Sequence, residues 1–387
     1  MITIENGTIL YGKDIGAIKA NIVIDEGIIT EITKNKVNSG KKIDASGSII
    51  APAFINSHVH TGDSIARDIG DGKSIDEIVK PPNGLKHRIL NKTPPEMIIN
   101  EMRQSMKDML ATGTTTFVDF REGGLDGIKL IEEASKGIPI RKIVLGRDDS
   151  FYDKEIRKSE IKRITKTLLK SCDGIGLSGF GEIRDEVAQL ITKTCKKHGK
   201  ISAIHVAEHE KVQKESVKST GKSEVARAVE ANFNILVHVT APIGNDLELI
   251  SKSESSVVCC PRSNGSLSVG IPPIMDLIKH KINVLLGTDN IMFNSPNMLR
   301  EMEYALKVTR GNYREYFSPL ELFKTATKNA VKAFNLNNGC IEEGKIADII
   351  IVEEISKNPV LSIINRTEVK DFKYLIKEGN IVSKKVV

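Results

Sequence analysis

From residue 54 onward the chain alternates short β-rich runs with helix-length amphipathic segments, and this rhythm restricts the fold more than any other feature. The β-rich runs are FINSHVH, TTTFVDF, PIRKIVLGR, GIGLSGF, ISAIHVAE, ILVHVT, SVVCCPRS and INVLLGTD, eight in all. Between them lie segments such as PEMIINEMRQSMKDMLATG, RDEVAQLITKTCKKHG and PPIMDLIKHK, whose apolar residues recur three and four apart, as on one face of a helix. Several of these end in glycine, which suits the turn that closes a helix. Strands that alternate with helices must run parallel, joined by helical crossovers. Eight such units over residues 53–339 predict an α/β chain with a (β/α)8 TIM-like barrel. An open doubly wound sheet is the alternative, but no G-x-G-x-x-G follows an early strand.

The two ends of the chain read differently. MITIENGTILYG, ANIVIDEGIITEIT and KKIDASGSIIAP are short strands with turn residues between them, and strands resume with GCIEEGKIADIIIVE and FKYLIKEGNIVSKKVV. Residues 1–52 and 340–387 most simply pair into one small β-sandwich domain, with the barrel inserted between them. Residues 70–95, GDGKSIDEIVKPPNGLKHRILNKTPP, fit no strand–helix unit. Their length and their Pro-Pro-Asn-Gly stretch predict a long loop with a short helix, the form that active-site lids take.

Composition excludes several function classes. Lys and Arg total 56 against 50 Asp and Glu, a net charge of +6 that is weak for 387 residues. The basic residues are scattered, as in KEIRKSEIKRITKTLLK, so no nucleic-acid partner is expected. No apolar run is long enough to span a membrane, and MITIENGTIL lacks the pattern of a signal peptide. Cys172, Cys195, Cys259, Cys260 and Cys340 show no C-x-x-C spacing, which predicts reduced thiols filling the core of a cytoplasmic protein.

In a parallel barrel, functional groups collect at the C-terminal ends of the strands. The first run ends with His58 and His60, which point the same way because strand side chains alternate faces. The fifth ends with His205 and Glu208, the sixth with His238 and the eighth with Asp289. Imidazoles gathered with a carboxylate on one rim suit a divalent metal held by nitrogen and oxygen. The other histidines, His87, His198, His209 and His280, are expected at the surface or at helix ends. Arginines also follow strand ends: Arg121 after the second, Arg147 after the third and Arg262 after the seventh, with Arg67 just past the histidine pair. Each could serve a neighbouring carboxylate such as Glu122 or Asp148. Together around one mouth they would hold an anionic substrate, because the guanidinium fork matches carboxylate and phosphate.

The sequence as a whole resembles the amidohydrolase superfamily, in the branch of cytosine-, guanine- and adenosine-type deaminases and triazine chlorohydrolases. The resemblance is carried by H-x-H in APAFINSHVH, H-x-x-E in HVAE, the histidine of LVHVT and the aspartate of LLGTDN, with ATGTTTFVD, PRSN and GKIADIIIVE in support. It implies a barrel with a β-sandwich built from both ends. It also implies one metal per chain, zinc or alternatively iron, bound by His58, His60, His205 and Asp289. The metal would lower the pKa of its water toward ~7. Asp289 would accept the water's proton, Glu208 would shuttle it to the substrate ring nitrogen and the leaving group, and His238 would orient the reacting centre. GIGLSGFGEI, where dinuclear relatives carry a carboxylated lysine, has no lysine, so one ion is expected. Nucleoside deaminases of this branch often have a substrate-contacting histidine in the same stretch, and SGFGEIRDE has none.

The implied reaction is hydrolytic deamination of an amino-substituted heterocycle, with an anionic nucleobase, nucleoside or pterin derivative in view. Hydrolysis of a cyclic amide or imidazolone, or dechlorination, is the alternative on the same metal site. A non-catalytic binding or scaffold relative is the alternative of another class, and it would have no use for Glu208. The expected partners are a small heterocyclic substrate and further copies of the chain in a homo-oligomer, with no nucleic acid and no membrane.

Overall fold

A computed structural model of the chain describes residues 1–80 and 83–384. Its centre is a parallel sheet, with strands β1 (Phe54–His60), β2 (Thr114–Arg121), β3 (Arg141–Gly146), β4 (Gly174–Leu177), β5 (Ile201–Val206), β6 (Ile235–His238), β7 (Ser256–Cys259), β8 (Asn283–Leu286) and β9 (Asp289–Asn290). These lie side by side in chain order from β1 to β8, and β9 returns to pair with the far side of β1. All pairs are parallel, and helices occupy the crossovers. The strands are buried along their length, as expected of a parallel sheet covered by helices.

The eighth run, read from sequence as one strand, is split into β8 and β9 by Gly287 and Thr288. The two pieces stand at opposite ends of the strand order, so one run of chain joins both edges of the sheet. This curled arrangement is consistent with a TIM-like barrel. The join is tight. A Cβ on Gly287 would lie 2.7 Å from His58 Cβ and 2.8 Å from the His58 backbone nitrogen, so only glycine lets the eighth run pass the first histidine of the site.

The chain ends build two further sheets. One contains Ile2–Glu5, Asn21–Asp25, Ile28–Thr33 and Lys41–Asp44; the other contains Thr8–Tyr11, Gly16–Lys19, Ser48–Pro52, Ile349–Glu353, Phe372–Lys377 and Asn380–Lys384. In the second sheet Ile49, Ile50 and Ala51 pair antiparallel with Val352, Ile351 and Ile350, which ties the start of the chain to its end. Ile4, Ile22 and Ile43 of the first sheet share one buried cluster with Ile9, Ile50 and Ile349 of the second. Ser48–Pro52 and Ile349–Glu353 are buried nearly throughout, whereas Lys41–Asp44 buries only Ile43.

The segment after β1 departs from expectation. In place of a loop with one short helix, it forms two, Ile75–Val79 and Leu85–Lys92, after a 3-10 turn at Thr61–Ala66. Ser74 and Glu77 cap the first of these reciprocally, the S-x-x-E pattern of SIDE. Pro81 and Pro82 of this segment lie outside the described residues. No helix among the described residues is long and apolar enough to cross a membrane. All five cysteines are free and buried.

Candidate metal centre

The strand ends bring the histidines and the aspartate together. His58 and His60 are 0% and 5% exposed, and their rings lie 4.9 Å apart. The His205 ring of β5 is 4.9 Å from His58 and 5.3 Å from the His238 ring of β6. Asp289 Oδ1, on β9, is 3.0 Å from His58 Nε2 and 3.5 Å from His60 Nε2. Ligands at ~2.1 Å from a tetrahedral ion stand about 3.4 Å from one another, so these separations fit one divalent ion.

Local contacts aim the donors inward. His205 Nδ1–H donates to the Leu177 carbonyl oxygen at 2.7 Å, which leaves the Nε2 lone pair for the centre. Ser263 Oγ donates to Asp289 Oδ2 at 2.5 Å and fixes the carboxylate plane. The backbone is bent to achieve this: Ala207, His238, Val239 and Asp289 have φ of 51°, 77°, 48° and 58°. Side chains rarely tolerate that region, and such strain gathers where a site dictates the geometry.

Electrostatics favour ligands in their binding forms. Burial drives His58 and His205 below the usual imidazole range and pushes His60 down to about 3, so the rings are neutral. Burial opposes ionisation of Asp289 as well, but the His58 hydrogen bond outweighs it and holds the carboxyl below the usual carboxylate range. The donor set is therefore neutral nitrogen and anionic oxygen, which suits zinc.

Glu208 stands beside this cradle. Its Oε1 is 3.6 Å from His238 Nε2, and both residues line the same cavity as His60, His205 and Asp289. Burial raises the Glu208 carboxyl above its ordinary range. A carboxyl so placed can hold a proton and release it, as a shuttle requires. On the other side of His238, Asn264 Nδ2 approaches Nδ1 at 3.2 Å.

The arginines do not share one mouth, which corrects that expectation. Arg67 is 46% exposed at its side chain and pairs with Glu101 at 2.8 Å on the outer surface. Arg121 is buried with Glu122 at 2.8 Å and Asp119 at 3.8 Å, and it does not line the cavity. Arg262 donates to the Ser295 carbonyl oxygen and faces Glu301, also away from the cavity. Only Arg147 reaches the cavity, and it already pairs with Glu122 at 2.9 Å. One histidine also departs from its expected place: His87 is buried and hydrogen-bonded to the Val79 carbonyl. His209 is at a helix end as expected, just before helix Glu210–Thr220, and it also lines the cavity. His198 and His280 do end helices.

The residues that sequence reasoning missed form a buried charge cluster next to His60. Glu122 Oε1 accepts from Lys86 at 2.7 Å and lies 3.2 Å from His60 Nδ1, while Lys86 also donates to Asp63 at 3.0 Å. Lys86 sits on helix Leu85–Lys92 and is 4% exposed. The only signal for it was its place in a segment too long for a plain connection.

The chain matches the amidohydrolase family over residues 49–383. It is 52% identical over 384 residues to a protein of Methanothermobacter thermautotrophicus provisionally named an aminohydrolase, covering 99% of this chain and 100% of the relative. It is 29% identical to the 5-methylthioadenosine/S-adenosylhomocysteine deaminase of Thermococcus sibiricus, over 91% of this chain and 85% of that protein. The fold is shared with the crystal structure of an adenosine deaminase from Xanthomonas campestris with bound zinc, at a TM-score of 0.84 and 17% identity, covering 98% and 92% of the two chains.

Proposed function

The chain belongs to the amidohydrolase family, as a metal-dependent hydrolase of C–N bonds other than peptide bonds, and from that premise we propose that it releases ammonia from an amino-substituted heterocycle. The observation that supports this reading is that His60, His205, Glu208, His238 and Asp289 line one cavity, with His58 directly behind them within ligand distance of the other histidines and of Asp289. A chain that served only as a scaffold would gain nothing from a buried carboxyl beside a metal cradle. Relatives named as nucleoside deaminases support ammonia as the product.

His58, His60, His205 and Asp289 would hold the ion, zinc or iron, which when bound supplies a water of lowered pKa and polarises the attacked carbon. Asp289 accepts the proton that the water loses as its oxygen bonds to the ring carbon, and Glu208 shuttles it to the ring nitrogen. The second water proton, lost from the new hydroxyl as the carbonyl forms, passes through the same carboxyls to the amine, so that the C–N bond breaks and ammonia leaves neutral. His238 steadies the developing oxyanion through Nε2. Apolar residues including Val79, Val206 and Phe293 give the ring a dry wall.

Arg147 is the arginine placed to meet an anionic group on the substrate, which keeps carboxylate- or phosphate-bearing nucleobases, nucleosides and pterins in the candidate set. In architecture, we read the parallel sheet as a closed barrel of residues 53–339, and the two end sheets over their isoleucine cluster as a β-sandwich of residues 1–52 and 340–387. A cytoplasmic location and a homo-oligomeric state complete the reading.

The test is an ammonia-release screen of metal-loaded protein against amino-purines, amino-pyrimidines and amino-pterins, with and without carboxylate or phosphate groups. Turnover of at least one class with stoichiometric ammonia is expected. Hydrolysis of cyclic amides, imidazolones or chlorinated triazines without ammonia would replace deamination by the alternative chemistry.

A further inference from the structure

A second group of buried donor atoms lies beside the metal cradle. His60, Asp63 and Glu122 each offer a ligand atom, all within 4.8 Å of one another. The three residues are 5%, 1% and 6% exposed, and Asp63 Oδ1 and His60 Nδ1 have no hydrogen-bond partner. Two buried carboxylates beside an imidazole are an oxygen- and nitrogen-rich set of the kind divalent ions take. The Lys86 ammonium is seated among them, bound to Asp63 Oδ2 and Glu122 Oε1. We propose that Lys86 is a built-in cation that occupies a latent second divalent-metal site formed by His60, Asp63 and Glu122, and thereby holds the catalytic centre to a single ion.

The ammonium and a divalent ion compete for the same carboxylates. Buried carboxylates demand a compensating cation, and an ammonium on the chain is present at very high effective concentration. A free divalent ion must displace it, and would then face the repulsion of a confined ammonium. Remove the ammonium and Glu122 keeps Arg121 and Arg147 while Asp63 loses its ion-pair partner, leaving the cluster one positive charge short, which favours ion entry. His60 Nδ1, 3.2 Å from Glu122 Oε1, is the third donor atom of the set. Lys86 comes from the helix between the first two strands of the parallel sheet, so that segment sets metal count as well as covering the cavity.

The proposal rests on the metal reading of the main cradle, and metal titration separates the two. Wild-type protein, Lys86→Met, Lys86→Gln and Lys86→Arg would be stripped and titrated with zinc, with bound ion measured by elemental analysis after desalting and affinity by competition with a chromophoric chelator. Wild type and Lys86→Arg should bind one equivalent, and Lys86→Met and Lys86→Gln two. Adding Asp63→Asn to Lys86→Gln should return the count to one. A folded Lys86→Met or Lys86→Gln protein that stays at one equivalent under excess zinc overturns the proposal. So does a variant that zinc cannot restore to a folded state. Zero equivalents in wild type would instead overturn the metal reading of the main cradle, while a zinc-binding Lys86 variant would still report on the second site.

Discussion

Glu122 is the keystone of the buried cluster, and replacing it with glutamine should expose how much the cluster contributes to stability. The carboxylate meets Lys86 at 2.7 Å, Arg121 at 2.8 Å, Arg147 at 2.9 Å and His60 at 3.2 Å. In Glu122→Gln, Lys86 keeps Asp63 and Arg121 keeps a longer contact to Asp119, but Arg147 loses its ion-pair partner while 3% exposed. Stranding one buried charge costs about 3–5 kcal/mol. Unfolding entropy of ~2.1 cal/mol/K per residue makes each kcal/mol worth about 1.2 °C in a chain of this length, so the melting midpoint should fall by roughly 4–6 °C. The assay is calorimetric melting of metal-loaded wild type and variant at one pH and metal concentration. Lys129→Met, which breaks an exposed pair with Asp126, serves as the control and should move the midpoint by less than about 1 °C. A Glu122→Gln midpoint as little changed as the control would refute the reasoning, because it would mean that water or rearrangement already screens the cluster.

Two further outcomes are expected. Glu208→Gln should retain its metal and melting midpoint while losing ~10²–10⁴ in turnover; near wild-type turnover would remove Glu208 from the proton path. Glu224 is buried, accepts the Ala207 backbone N–H at 2.9 Å, and has its carboxyl raised by burial to about 7. The folded state then keeps a proton that the unfolded chain releases above its ordinary value near 4.5. Stability should therefore decline by about 3 kcal/mol as pH rises from the ordinary value to about 7, and level off above it. Glu224→Gln should lose that slope, and melting curves from pH 4.5 to 8 that keep it would assign the slope to another group.

Much of the architecture and the centre of the site were legible in the sequence because they follow from periodicity. His58 and His60 share a side because strand residues two apart always do, and the barrel rule that function gathers at strand ends picked out His205, His238 and Asp289. What stayed hidden depends on distances between segments. Arg121, Arg147 and Arg262 all follow strand ends, yet whether a long side chain enters the cavity or turns to a neighbouring carboxylate is decided by packing that no spacing encodes. Lys86 is the sharper case. A lysine in a polar, proline-containing segment reads as solvated, and only the position of Asp63 and Glu122 beneath it explains its burial. The break at Gly287 was equally invisible, because it arises from the approach of the eighth run to His58.

The metal content of the native protein tests the mononuclear centre most directly. Elemental analysis of protein purified without chelators or added metal should find close to one divalent ion per chain, and His58→Ala/His60→Ala should lose it while its secondary structure persists. Wild-type protein that holds no ion, or holds two at full occupancy, would contradict a mononuclear hydrolytic centre built on His58, His60, His205 and Asp289.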